Sequence, residues 1–178
     1  MIYKFRIVLD LNDEDVFRDI EIEDTNSFED LHNAIVQVCD LDGQQMASFY
    51  VSNDAWEQKE EVTLFDMSDG PKTDDAKKIM SDWAIHELTN EVSHKLLYIY
   101  DFLSMWTFYV ELLDIHEIEA SVEYPRMVAS VGLMPEEAPE KRDFEGEDAP
   151  KELDKFDVFD GDDSFDQAGY DEFDDTWN

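Results

Sequence analysis

The sequence predicts an α+β domain: a mixed β-sheet packed on one main amphipathic helix, followed by an acidic C-terminal tail. Three observations predict it. Apolar and polar residues alternate from Tyr3 onward. One segment, residues 27–39, changes to helical spacing between a start and a stop signal. Past residue 138 the aliphatic residues that build a core give out while acids accumulate. Periods of two and of 3.6 residues in one chain call for a sheet and a helix sharing a core.

The elements follow in order. Tyr3, Phe5, Ile7 and Leu9 share one strand face, with Lys4 and Arg6 opposite. After the polar turn Asn12-Asp13-Glu14-Asp15, Val16, Arg18, Ile20 and Ile22 alternate with Phe17, Asp19, Glu21 and Glu23, which reads as a hairpin. Ser27 then sits at a helix N-cap with Asp30 three residues on, a capping box with Asp in place of Glu. Phe28, Leu31, Ile35, Val38 and Cys39 keep helical spacing until Asp42-Gly43 ends it. A third strand, residues 46–51, completes a ββαβ start. Residues 53–75, with Ser68-Asp69-Gly70-Pro71, read as loop with a short strand over 61–65. Residues 75–90 show weak helical periodicity through Ile79, Trp83, Ile85 and Leu88. Residues 95–102 and 105–113 form a later hairpin around Leu103-Ser104, with Trp106, Phe108, Val110 and Leu112 on one face.

Charge divides the chain and excludes whole classes of function. In 178 residues, 47 Asp and Glu face 13 Lys and Arg, a formal charge of −34. Binding a phosphate backbone by counterion release requires clustered bases, so direct nucleic-acid binding is not expected. The same field repels anionic membranes. The apolar stretch 96–113 contains Asp101 and Glu111, each costing about 2.5–3.5 kcal/mol at membrane depth, and reads as paired strands. Residues 1–6 alternate and contain no apolar signal core, and Cys39 is the one cysteine, so a soluble cytoplasmic protein is expected. Residues 136–178 hold 18 acids against Lys141, Arg142, Lys151 and Lys155, with Leu153 and Val158 their only Leu, Ile or Val. The division is therefore a domain over 1–138 and a tail over 139–178, the tail disordered or ordered only on contact.

Few residues carry a chemical signal. His86, Glu87, Glu91 and His94 lie close together, and on a helix Glu87, Glu91 and His94 share a face. That spacing is not a zincin motif and has no third strong ligand, so no metal site and no cofactor are assigned. His32 and His116 read as structural. Cys39, at a helix C-terminus among acids, lacks the basic setting that activates a thiolate and reads as a buried hydrophobe. In the tail, Asp160, Asp162 and Asp163 open a calcium-loop-like run, but Phe165 occupies the place where such a loop turns on Gly. The tail also pairs aromatics with acids at Phe156, Phe159, Phe165, Tyr170 and Phe173, and adds Trp177. These nine residues are the expected anchors for a basic, partly apolar partner surface.

Several short motifs, taken in order, resemble the plasmid pRiA4b Orf-3-like family: the opening strand, Leu31-His32, Tyr100-Asp101-Phe102, Trp106, Tyr124-Pro125-Arg126, and Pro135-Glu136-Glu137. The resemblance spans residues 1–138 and implies an α+β domain from a family associated with mobile elements, without an established activity. Departures fall on its polar positions. Where the family has Gly-Asp this chain has Leu103-Ser104, and Phe108 replaces a histidine two residues after Trp106. A His-Leu-His-Glu-Phe strand becomes Gln45-Met46-Ala47-Ser48-Phe49, and a Pro-Glu-Asp-Cys-Gly-Gly ending becomes Pro135-Glu136-Glu137-Ala138-Pro139. Packing residues match while chemical ones are lost. The expectation is a non-catalytic interaction module that binds a basic protein surface, with nucleic-acid mimicry as a narrower form. The alternative is an enzyme using Asp101, Glu111 and the His86–His94 region. Oligomeric state and partner identity are left open.

Overall fold

The computed structural model describes residues 1–11, 15–66 and 77–139. These form β1 (Ile2–Leu9), β2 (Phe17–Glu23), α1 (Phe28–Val38), β3 (Ala47–Ser52), β4 (Gln58–Thr63), β5 (Lys78–Ile79), a 3₁₀ turn (Met80–Asp82), α2 (Ile85–Leu88), β6 (Lys95–Tyr100), β7 (Trp106–His116) and β8 (Arg126–Val131). The class is α+β, and the sheet dominates. Its eight strands lie in the order β5-β4-β3-β6-β7-β1-β2-β8. Only β4 and β5 pair in parallel, so the sheet is mixed. The four antiparallel pairings that link β2 to β3 through β1, β7 and β6 leave β2 and β3 running the same way. Helix α1 therefore crosses over three intervening strands, and this crossing creates the core.

The helix begins where the sequence places it. The Asp30 N–H donates to Ser27 Oγ at 3.1 Å, and the Ser27 N–H donates to Asp30 Oδ2 at 2.8 Å. Phe28, Leu31 and Ile35 are fully buried against Phe5, Ile7, Ile20 and Ile22 from β1 and β2, Phe49 from β3, Tyr98 from β6, and Phe108 and Val110 from β7. Val38 packs at the margin of this core, partly buried. The alternation that defines each strand is the reason: every second side chain stands on the helix-facing side.

Arg18 stands on that apolar side too, 7% exposed. Its guanidinium donates to the carbonyls of Val38 (3.1 Å), Phe17 (2.8 Å), Val131 (2.7 Å) and Gly132 (3.1 Å). The last turn of α1 has no basic residue of its own. Arg18 supplies the positive cap that orphaned C-terminal carbonyls favour, and joins it to the end of β8. Gly132 there has φ +72°, and a Cβ on it would lie 2.6 Å from the Asp15 carbonyl oxygen. Only glycine allows that approach.

Two expectations change, and one strand was not expected. The periodicity over 75–90 yields only the four-residue α2, because Lys78 and Ile79 pair with Val62 and Thr63 and the Ala84 backbone bridges to Ser27. The strand expected over 61–65 is β4, beginning at Gln58. Residues 126–131 form β8, a strand with no clear alternation in its sequence. The turn Ser68–Pro71 lies outside the described residues.

Three outcomes are expected. Leu31→Ala should lower unfolding free energy in urea by about 2–5 kcal/mol, the cost of a cavity at a fully buried leucine. Arg18→Met should cost at least about 3 kcal/mol, since a hydrogen bond to a charged donor contributes about 1.5–3 kcal/mol, four carbonyls lose theirs, and water can reach only some of them. His32 is buried with Nδ1 2.7 Å from the Tyr98 hydroxyl, and burial lowers its pKa from 6.5 to about 4. Its folded pKa is depressed, so stability present above pH 6.5 should drain as pH falls toward 4. The loss is about 3 kcal/mol at about 1.4 kcal/mol per unit. Urea titrations of His32→Gln across that window should be markedly flatter.

Candidate functional site

The sheet face away from α1 carries the charged residues. Strand register determines how they pair. Arg6 stands opposite Asp19, and its Nε and Nη2 donate to the two carboxylate oxygens at 2.8 Å each. Arg126 stands opposite Glu21 and donates to Oε2 through Nε and Nη2, both at 2.7 Å. His116 Nε2 lies 3.5 Å from the other Glu21 oxygen. Asp19 and Glu21 are both buried, 2% and 7% exposed. These carboxylates bind the arginines from beneath, and the Arg6 guanidinium also lies 4.3 Å from the Phe17 ring centroid. Two of the domain's few bases are thus neutralised within the sheet.

Further along the same face, Tyr50, Leu97 and Ile99 are buried beneath Trp56, Met105 and Tyr109. Trp56 and Met105 both have positive φ, +62° and +56°. A left-handed backbone costs an ordinary residue about 1–2 kcal/mol. Each of these two lays its side chain over the apolar cluster, which offsets that cost. Trp56 meets Tyr109 edge-on at 4.8 Å, and the Lys95 ammonium sits 5.0 Å from the Trp56 ring and donates to the Asp54 carbonyl.

His94, just before β6, borders this cluster. Its Nε2 lies 3.5 Å from Asp54 Oδ1 and 3.9 Å from Glu111 Oε1, while Nδ1 is buried without a hydrogen-bond partner. Beside it is a notch of about 270 Å³ lined by Glu91, His94 and β7 residues Leu112 to Ile115. The notch exists because β7 outruns β6: their pairing ends at Lys95 and Glu111, while β7 continues to His116 along β1. Chemically the place offers carboxylates, an imidazole and strand edge. Among the described residues no hydroxyl or thiol is hydrogen-bonded to His94, whose near neighbours are the carboxylates of Asp54 and Glu111.

The structure redistributes the residues singled out in the sequence. The helical face of Glu87, Glu91 and His94 does not form, because α2 ends at Leu88. The Glu87 carboxylate accepts from the Ala84 N–H at 2.7 Å, and His86 packs on the Asp24 carbonyl at 2.9 Å. Among the described residues no three His, Cys, Asp or Glu side chains converge on a metal position. Asp101 sits at the opposite end of β6 from His94, about 20 Å away at 3.3 Å per residue. It has φ +55° and accepts from the Leu103 N–H, as a turn residue. Glu111 and His94 do meet. Cys39 is buried, and burial pushes its thiol pKa up to about 12, as a structural cysteine requires. The tail positions Phe156, Phe159, Asp160, Asp162, Asp163, Phe165, Tyr170, Phe173 and Trp177 lie outside the described residues. Asp54, Trp56 and Lys95 were not singled out by sequence. The hairpin alternation did place Arg6 and Asp19 on one face, and an assumed register would have paired them.

Fold and face together define a single-sheet α+β protein whose exposed surface is acidic and whose inner bases are paired. This chain belongs to the family described as plasmid pRiA4b ORF-3-like protein, whose model matches residues 1–145. Its fold is similar to that of the protein of unknown function MM3350 from Methanosarcina mazei Go1. The two share 22% identity and a TM-score of 0.61 over 72% of this chain and 68% of that one. No curated protein matches the chain. No described helix is long and apolar enough to cross a membrane.

Proposed function

We propose that this protein is a non-catalytic interaction module of the cytoplasm, in a family associated with mobile elements, that binds a basic protein surface through its acidic faces and its tail. The observation that carries the reading is the fate of the positive charge. The chain has a formal charge of −34, and Arg6, Arg18 and Arg126 are spent on internal carboxylates and carbonyls. The unpaired acids therefore set the outer field, which steers and selects basic partners. Nucleic-acid mimicry is the narrower form, in which exposed carboxylates stand where phosphates would. A second reading, an enzyme, is favoured by one observation only, the approach of His94 to Glu111 and Asp54.

Affinity capture from a cell extract with the full chain as bait tests the proposal. Basic proteins should be enriched at 0.15 M salt. At 1 M the Debye length shrinks from about 8 to about 3 Å, so purely electrostatic partners should leave. Partners held by aromatic anchors should remain, and should be lost when Phe156, Phe159, Phe165 and Phe173 are replaced by Ser. A captured set no more basic than that of an uncharged control bait would sink the reading.

A further inference from the structure

We propose that the notch beside β7 receives an extended basic peptide segment, which adds as a short strand along Leu113–Ile115 and sets a Lys or Arg side chain against Glu91 and Asp114. This rests on the interaction-module reading and narrows it from an acidic surface to one place.

The strand edge comes first. On its other side β7 is held by β1, with Ile2 opposite His116, Tyr3 opposite Ile115 and Lys4 opposite Asp114. Toward β6, among the described residues, no strand pairs with Leu113–His116. The connecting loop closes on itself instead. The Asn90 N–H donates to the Ser93 carbonyl, and Asn90 Oδ1 accepts from the Val92 and Ser93 N–H groups. Its attachments to the sheet are a Tyr3 hydroxyl bond to the Thr89 carbonyl and a Leu112 N–H bond to the His94 carbonyl. A rigid strand with an uncovered edge is a template for a further strand.

Chemistry then selects the occupant. Leu112, Leu113 and Ile115 make the walls partly apolar, Leu113 being 41% exposed, and Glu91 and Asp114 make them acidic. Asp54 and Glu111 add negative charge beyond His94. An alternating basic and apolar strand matches both features. A second copy of a chain with a formal charge of −34 would be repelled, and so would the chain's own acid-rich tail. At about 270 Å³ the notch has room for a long side chain.

The test titrates full-length protein with the synthetic peptide acetyl-Val-Arg-Val-Arg-Val-Arg-amide, read by calorimetry and by amide NMR shifts. Saturable binding is expected, with the largest shifts at Leu113, Asp114 and Ile115. Glu91→Lys with Asp114→Lys should weaken it tenfold or more, and Glu91→Gln with Asp114→Asn should weaken it less. Circular dichroism verifies that these surface variants fold. The tail variant with Phe156, Phe159, Phe165 and Phe173 replaced by Ser should bind like the parent. Equal affinity for parent and charge-reversed protein, or shifts confined to other strands, overturns the notch. If that binding is instead lost with the tail variant, the acidic-module reading stands without the notch. If neither this peptide nor an octa-arginine peptide binds the parent at low salt, both fall.

Discussion

A buried guanidinium ties the end of the covering helix to the strand at the sheet's edge. Arg18 comes from β2, yet its hydrogen bonds end on the last turn of α1 and on the exit from β8. Removing a charge from water is tolerable only when its donors are matched, and here four are. The helix that covers the sheet and the strand that closes its edge are thereby both referred to the same side chain. The close approach at Gly132 follows from this, since the chain must pass within reach of Arg18 and against Asp15 and Val16.

The two faces of the sheet are consequences of one alternation. Placing Ile20 and Ile22 under the helix turns Asp19 and Glu21 to the far side, where Arg6 and Arg126 meet them. Ion pairs with buried carboxylates contribute little net stability against apolar alternatives, though breaking one is costly. Their effect on function is different. They pair part of the positive charge within the sheet, and acids, 47 against 13 bases in the chain, dominate the field that is left.

The helix is asymmetric as well. Its face over the sheet is packed with aromatics, including Phe49, Tyr98 and Phe108, while the polar pair His32 and Tyr98 satisfies itself inside that core. A neutral imidazole is maintained there because water cannot reach it to compensate a charge. An imidazole and two carboxylates come together where strand lengths differ: His94, Glu91 and Asp114 at the step between β6 and β7.

Local signals determined much of this in advance. Capping by Ser27 and Asp30, the apolar stripe of α1, and the alternation of β1, β2 and β7 are short-range patterns with direct physical causes, and all are present in the structure. The structural roles of Cys39 and His32 were legible for the same reason, from the apolar residues around them. Strand β8 was not legible, because its apolar residues Met127, Val128, Ala129 and Val131 do not alternate with polar ones and it forms by pairing with β2. The weak periodicity over 75–90 failed because pairing with β4 and Ser27 overrode a marginal helical preference. The place of Asp101, remote from His94, and the meeting of Asp54, Glu111 and His94 depended on strand order. Composition can state the sign of the protein's field, but where an open edge and two carboxylates coincide is decided by which strands lie side by side and how far each extends.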